Sequence, residues 1–194
     1  MPDDSRPAPP RAGEHAAAPG FATRMAHASR PPVRSHGFVN PPVHRGSTVL
    51  YPDCEARRTI NTKSLEQVMT YGTAGGPTHF ELERVIAEIE GGTRSTIVGT
   101  GLAAVAVPLL AYLRAGDHLL MPDSVYGPAR ILAEGMLRGW NIETTFYDPL
   151  VDEDATRALM RPITRVVFTE SPGSHTFEVQ DIPAIARAAH AAGA

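Results

Sequence analysis

Ser95-Thr96-Ile97-Val98-Gly99-Thr100-Gly101-Leu102-Ala103-Ala104 runs from a short β-prone stretch through a glycine turn into LAAVAVPLLAYLR, residues 102–114, with Gly116 just beyond. Length separates the two apolar runs: Ser95–Val98 has the extent and β-branching of a strand, whereas 102–114 has that of a helix closed by glycine. A helix apolar all round predicts burial on both faces. Backbone N–H groups at a helix start have no intrahelical acceptor and lie at the positive end of the dipole. The turn is therefore a candidate anion site that needs no charged side chain. The same six residues, Gly99 to Ala104, also match the dinucleotide fingerprint G-x-G-x-x-A, with Asp123 placed roughly 20 residues on as a ribose-binding acid should be. A tight turn that only packs helix on strand is the third reading.

The pattern on either side fixes the class. Upstream, Thr78 followed by Glu81 reads as a capping box, and Leu82, Val85, Ile86 and Ile89 share one face of a helix that ends at Gly91-Gly92. Downstream, strands are expected at His118–Met121, Ile142–Tyr147 and Arg165–Thr169. Helices are expected at Pro128–Arg138 and Asp152–Met160, with a last one opening at Asp181 and running to Ala192. Strand and helix alternate, the signature of an α/β fold with a mainly parallel sheet covered by helices. Gly193 reads as a helix C-cap of the kind that leads into a buried strand, so the chain reads as cut through a domain. Residues 1–33, rich in Pro, Ala and Arg, read as a disordered tail. Residues 34–76 read as an extended N-terminal arm with one short helix near Ser64–Met69, and 77–194 as an incomplete large α/β domain. An arm suggests a partner subunit.

Composition excludes several classes of function. The chain has 194 residues and a formal net charge of −3, with no basic stripe to follow a nucleic acid. Its single cysteine, Cys54, makes no internal disulfide, and no Cys/His spacing suggests a metal site. The first residues lack the apolar core of a secretory signal, and no later run reaches membrane-spanning length. A cytoplasmic setting is expected. Among 18 Lys and Arg residues only Lys63 is lysine, which limits covalent chemistry.

Asp123-Ser124-Val125-Tyr126-Gly127-Pro128 follows a strand and precedes a helix, which puts Tyr126 at the carboxyl edge of the sheet, where open α/β folds bind ligands. Its ring is placed either to stack on a flat cofactor or to pack under a loop.

Taken in order, several motifs resemble the pyridoxal-phosphate (PLP) enzymes of cysteine and methionine metabolism, in the form found in bacterial cystathionine β-lyases. They are Gly37–Val43 and Arg45–Thr48, Tyr71-Gly72, Pro77-Thr78, Leu82-Glu83, Glu90–Gly92, Gly101–Ala104, Gly116–His118, Tyr126 and Glu170-Ser171-Pro172-Gly173-Ser174. The likeness covers about Thr23 to the last residue and displaces the dinucleotide reading. It implies a type I PLP-dependent transferase (aspartate aminotransferase-like) fold. Gly101 and Leu102 would give N–H groups to the cofactor phosphate, and Tyr126 would stack on the pyridine and assist proton transfer. Tyr71 would reach the phosphate of a neighbouring subunit in a homodimer or homotetramer. Ser174 falls where many relatives carry asparagine near the phenolic oxygen, and serine there is the β-lyase-like form.

The implied activity is α,β-elimination on cystathionine, a small amino-acid thioether, giving homocysteine, pyruvate and ammonia. Cystathionine γ-synthase, γ-lyase or sulfhydrylase activity is the alternative within the family, and a non-catalytic remnant is the alternative outside enzymes. Two departures stand out. The family usually has arginine at the position of Thr73, and His79 beside it reads as an ordinary helix residue. PLP chemistry also needs a lysine that binds the cofactor covalently and an acid opposite the pyridine nitrogen. In the family both fall beyond the segment matching 170–194. Lys63, in the polar stretch Asn61–Ser64, reads as a solvated side chain.

Overall fold

The computed structural model describes residues 18–28, 38–60 and 67–194. It divides into two compact units, Met1–Ile97 and Val98–Ala194. Lys63 and the first half of the stretch read as a helix near Ser64–Met69 lie outside the described residues, and Gln67–Met69 are not helical.

In the first unit, α1 (Phe21–His27) forms inside the stretch read as tail. Helix α2 (Cys54–Thr59) is set by Asp53, whose carboxylate accepts the Ala56 N–H at 2.7 Å, with Glu55 in the first turn and Arg57 and Arg58 in the last. These charges complement the helix dipole. A 3₁₀ turn, Gly72–Ala74, leads to α3 (Pro77–Ile89). The expected capping box does not form, because the N-cap is Gly76 and Pro77 takes the first helical position. Thr78 Oγ1 instead donates to Pro42 O and accepts from the His44 N–H, each at 3.0 Å, and so pins the arm.

The apolar face read on α3 is also not the buried one. Leu82, Ile86 and Ile89 are exposed, whereas Glu83 and Ala87 are buried. Glu83 acts as a clamp, with Oε1 accepting the Ile97 N–H at 3.0 Å and Oε2 the Gln67 amide at 2.7 Å. Ser95–Val98 is therefore not a strand: it has no ladder partner among the described residues, and Glu83 satisfies it in place of a neighbouring strand.

The second unit begins with α4 (Gly101–Tyr112) and continues through β1 (His118–Pro122), α5 (Gly127–Leu132), β2 (Glu143–Tyr147), α6 (Glu153–Leu159), β3 (Thr164–Val167) and α7 (Ile182–Ala192). Helix α5 runs on into a π-helical turn, Ala133–Leu137. The strands form a wholly parallel sheet in the order β2-β1-β3. Every residue of the central strand is buried, and its side chains alternate between two cores. Leu119 and Met121 pack with Leu109, Ala129 and Leu137 on the α4/α5 side, whereas Leu120 packs with Tyr147 and Ile185 on the α6/α7 side. Helix α7 is framed as its sequence requires: Asp181 accepts the Ala184 N–H, and Gly193 takes the left-handed C-cap at φ 80°. Helix α4 departs from expectation, since only its inner face, through Leu109, is fully buried. Val107 and Tyr112 are 50% and 73% exposed, because no element of the second unit packs on that side.

At the opposite, amino end of the sheet His118 ties the three strands together. Its Nδ1 lies 2.8 Å from Thr164 Oγ1 on β3 and its Nε2 2.8 Å from Thr145 Oγ1 on β2. Burial lowers its pKa below the ordinary 6.5, with Arg161 adding to the effect and Glu143 opposing it. The folded state thus holds His118 neutral while the unfolded chain takes up a proton near pH 6.5. Stability is expected to be level above that pH and to fall as pH drops from 6.5 toward the lowered value. Thermal melts of the parent and His118→Gln at stepped pH check this, the variant having lost the slope in that window.

Candidate functional site

Two loops meet at the carboxyl edge of the sheet in the second unit. One, Asp123–Tyr126, joins β1 to α5, and the other, residues 168–181, follows β3. The Ser174 N–H donates to Ser124 O at 2.8 Å, and the Tyr126 N–H donates to Glu170 Oε2 at 3.1 Å. The close approach dictates a glycine: a Cβ on Gly173 would stand 2.8 Å from Ser124 Cβ and 2.9 Å from Glu178 Oε2. Arg130 of α5 holds the first loop from the other side. Its guanidinium pairs with the Asp123 carboxylate, donates to Asp123 O at 2.8 Å, and lies 3.9 Å over the Phe146 ring. The main chain around Tyr126 is therefore anchored on both sides while the residue as a whole is 45% exposed.

At the start of α4, Thr100 caps the helix through the Ala103 N–H at 3.1 Å, and Thr100 O accepts from Ala104. The N–H groups of Gly101 and Leu102 have no acceptor among the described residues, and the space a Cβ of Gly101 would enter is open. Paired with the dipole of a twelve-residue helix, this arrangement fits a phosphate group.

Tyr71 belongs to the first unit. It forms an antiparallel bridge with Thr48 and is 50% exposed, and the next residue, Gly72, donates to Ser47 O at 2.7 Å. A Cβ on Gly72 would collide with Gly46 O and stand 2.8 Å from Ser47 Cα, both backbone atoms that cannot swing aside. Gly72→Ala is expected to break the bridge, at a cost of roughly 1–3 kcal/mol for overpacking. Faster amide exchange at Tyr71 and Gly72 is the check. Thr73 sits exposed in the 3₁₀ turn, and an open cleft beside that turn is lined by His44, Arg45 and His79, among others.

Of the residues singled out in the sequence, Tyr126 and Ser174 are thus brought together by the paired loops, and Gly101 and Leu102 open a helix on the same sheet. Glu170, Arg130, Tyr147 and Gln180 were not singled out individually. Only Glu170 had a signal, through its place in the Glu170–Ser174 run.

A parallel α/β sheet with a helix start whose first N–H groups are unpaired and a half-exposed tyrosine at its carboxyl edge has a layout able to accept a phosphate-bearing ligand. The family model for Cys/Met metabolism PLP-dependent enzymes matches residues 22–194, and the chain belongs to that family. A putative cystathionine beta-lyase of Rhizobium johnstonii is 45% identical over 175 residues, covering 90% of this chain and 43% of that protein. Cystathionine beta-lyase MetC of Escherichia coli is 36% identical over 166 residues, covering 86% and 42%. The crystal structure of metB from Corynebacterium glutamicum superposes with a TM-score of 0.76 at 25% identity, covering 89% of this chain and 43% of that one. This chain therefore spans less than half the length of these relatives. The fold is that of the type I PLP-dependent transferases, and the family's cofactor is PLP.

Proposed function

We propose that this chain contributes the phosphate-binding and ring-stacking part of a PLP-dependent carbon–sulfur lyase of the cystathionine β-lyase type. The observation that carries the reading is the pair of joined loops bearing Tyr126 and Ser174, in a chain 36–45% identical to several proteins named as cystathionine beta-lyases. A cystathionine gamma-synthase of Mycobacterium bovis at 33% identity keeps γ-type chemistry as the second reading.

PLP, when bound, supplies the electron sink that lets an α-proton leave and a β-substituent depart. The chain's own residues do the rest of what is assigned here. The N–H groups of Gly101 and Leu102 hold the phosphate without a counter-cation, and Thr100 fixes the turn that presents them. The Tyr126 ring would stack on the pyridine and orient it, and its hydroxyl would hold or pass a proton. Ser174 would offer a hydroxyl to the cofactor's phenolic oxygen. Tyr71, in the arm, reaches the phosphate of a neighbouring copy, so a homodimer or homotetramer completes the site. Thr73 gives that contact a hydroxyl where relatives bring a charge.

Lys63 stands in a polar stretch of the arm, so the 194-residue chain by itself is expected to release no pyruvate from cystathionine. Pyruvate formed by the purified chain, measured with lactate dehydrogenase and NADH, would contradict that. A chimera tests the substrate reading: residues 22–194 joined to the remainder of the Escherichia coli β-lyase should convert cystathionine to pyruvate and homocysteine. Release of 2-oxobutyrate and cysteine would favour the γ-type reading, and a folded, PLP-loaded but inactive chimera would favour a non-catalytic remnant.

A further inference from the structure

We infer that Glu170 is the positioning residue for Tyr126, acting through the tyrosine's main chain. The inference rests on the proposed stacking role of that ring. Glu170 Oε2 accepts the Tyr126 N–H at 3.1 Å across 44 residues of sequence, at the step where the loop turns into α5. Tyr126 is the N-cap of α5, and its side chain makes no cap hydrogen bond. The Tyr126 hydroxyl has no hydrogen-bond partner among the described residues either, so no polar contact of the side chain fixes the ring and its main-chain position matters the more. A carboxylate acceptor makes that backbone contact stronger than a neutral one would.

Glu170 is itself held from behind. Its carbonyl accepts the Gln180 side-chain amide at 3.1 Å, and the Gln180 N–H donates to Ser171 Oγ at 2.9 Å. The buried Tyr147 hydroxyl lies 3.1 Å from Gln180 Oε1 and donates to Phe168 O at 2.9 Å. Burial raises the pKa of Tyr147, so it remains a neutral donor. The buried Gln180 thus holds the Glu170 main chain from one side, while the Glu170 carboxylate reaches the Tyr126 amide on the other. No hydrogen bond joins Glu170 to the Tyr126 hydroxyl among the described residues, so the effect inferred for Glu170 on a ligand comes through the tyrosine's main chain.

The test uses the whole 194-residue chain with Glu170→Ala and Glu170→Gln, folding being checked by circular dichroism and melting. Hydrogen exchange of the Tyr126 amide, followed by NMR, should quicken about tenfold or more in Glu170→Ala, as for loss of one hydrogen bond to a charged acceptor. In Glu170→Gln, which keeps an oxygen acceptor, it should return to within about threefold of the parent. Equilibrium dialysis against PLP should show weaker binding in the alanine variant and recovery in the glutamine variant. Unchanged exchange at Tyr126 in a folded Glu170→Ala chain overturns the positioning role. Faster exchange with unchanged PLP affinity leaves the positioning intact and overturns the stacking role of Tyr126 on which it rests.

Discussion

Gly101→Asp is expected to leave the chain folded, melting at or slightly above the parent temperature, while PLP affinity falls at least about 100-fold. The two effects have opposite signs for one physical reason. Gly101 is the first residue of α4, its position has room for a Cβ, and its φ lies outside the left-handed region. A carboxylate in the first helical turn is favourable to the dipole by about 0.3–1 kcal/mol. A phosphate brought to the same N–H groups would face that carboxylate at close range, and two like charges about 4 Å apart near a protein surface repel by about 4 kcal/mol. Gly101→Asn, which adds similar bulk without charge, should weaken binding far less. Melting curves paired with equilibrium dialysis of the three chains decide the matter. Loss of binding together with loss of folding would mean the glycine is needed only for the turn.

Leu120→Ala should cost the second unit roughly 2–5 kcal/mol, the range for truncating a fully buried leucine where the surroundings collapse only in part. Leu120 is inaccessible at the centre of the middle strand and packs with Tyr147 of β2 and Ile185 of α7 on the α6/α7 side of the sheet. The strand cannot shift to fill the gap, because it is laddered on both sides to β2 and β3. Val107→Ala on the exposed side of α4 should cost well under about 1 kcal/mol, since its methyl groups already meet water. Urea unfolding followed by circular dichroism supplies both numbers, and equal costs would contradict the two-core description.

What could be read in the sequence follows from how local the cause was. The alternation from His118 to Ala192 was legible because each element carries its own period and its own stop. Asp181 and Gly193 frame α7 as an N-cap and a left-handed C-cap should. Helix α2, inside the stretch read as an extended arm, carries the same kind of local signal, with Asp53 as cap, an acid in the first turn and arginines in the last, but Pro52 directly before the cap favours extended chain. Ser95–Val98 misled because a strand is a property of a pair: its residues favour extension, yet only Glu83, reached through the fold, says what satisfies them. Thr78 misled likewise, since its hydroxyl serves Pro42 and His44 of the arm and not its own helix.

The site divides the same way. The turn proposed to hold a phosphate is six consecutive residues and so stands out in the sequence alone, and Tyr126 could be placed at the sheet edge by the strand before it. The contact between Tyr126 and Glu170 joins loops after two different strands and has no periodic trace. Gly173 gave no sign that a second loop lies against it.

Titration of PLP against the 194-residue chain, with the phosphate followed by ³¹P NMR and the amides of Gly101 and Leu102 by ¹⁵N NMR, tests the central assignment most directly. The account predicts saturable binding that shifts the phosphate signal and those two amides together, and that disappears in Gly101→Asp. No saturation, or binding that leaves both amides unmoved and survives the aspartate, would contradict it.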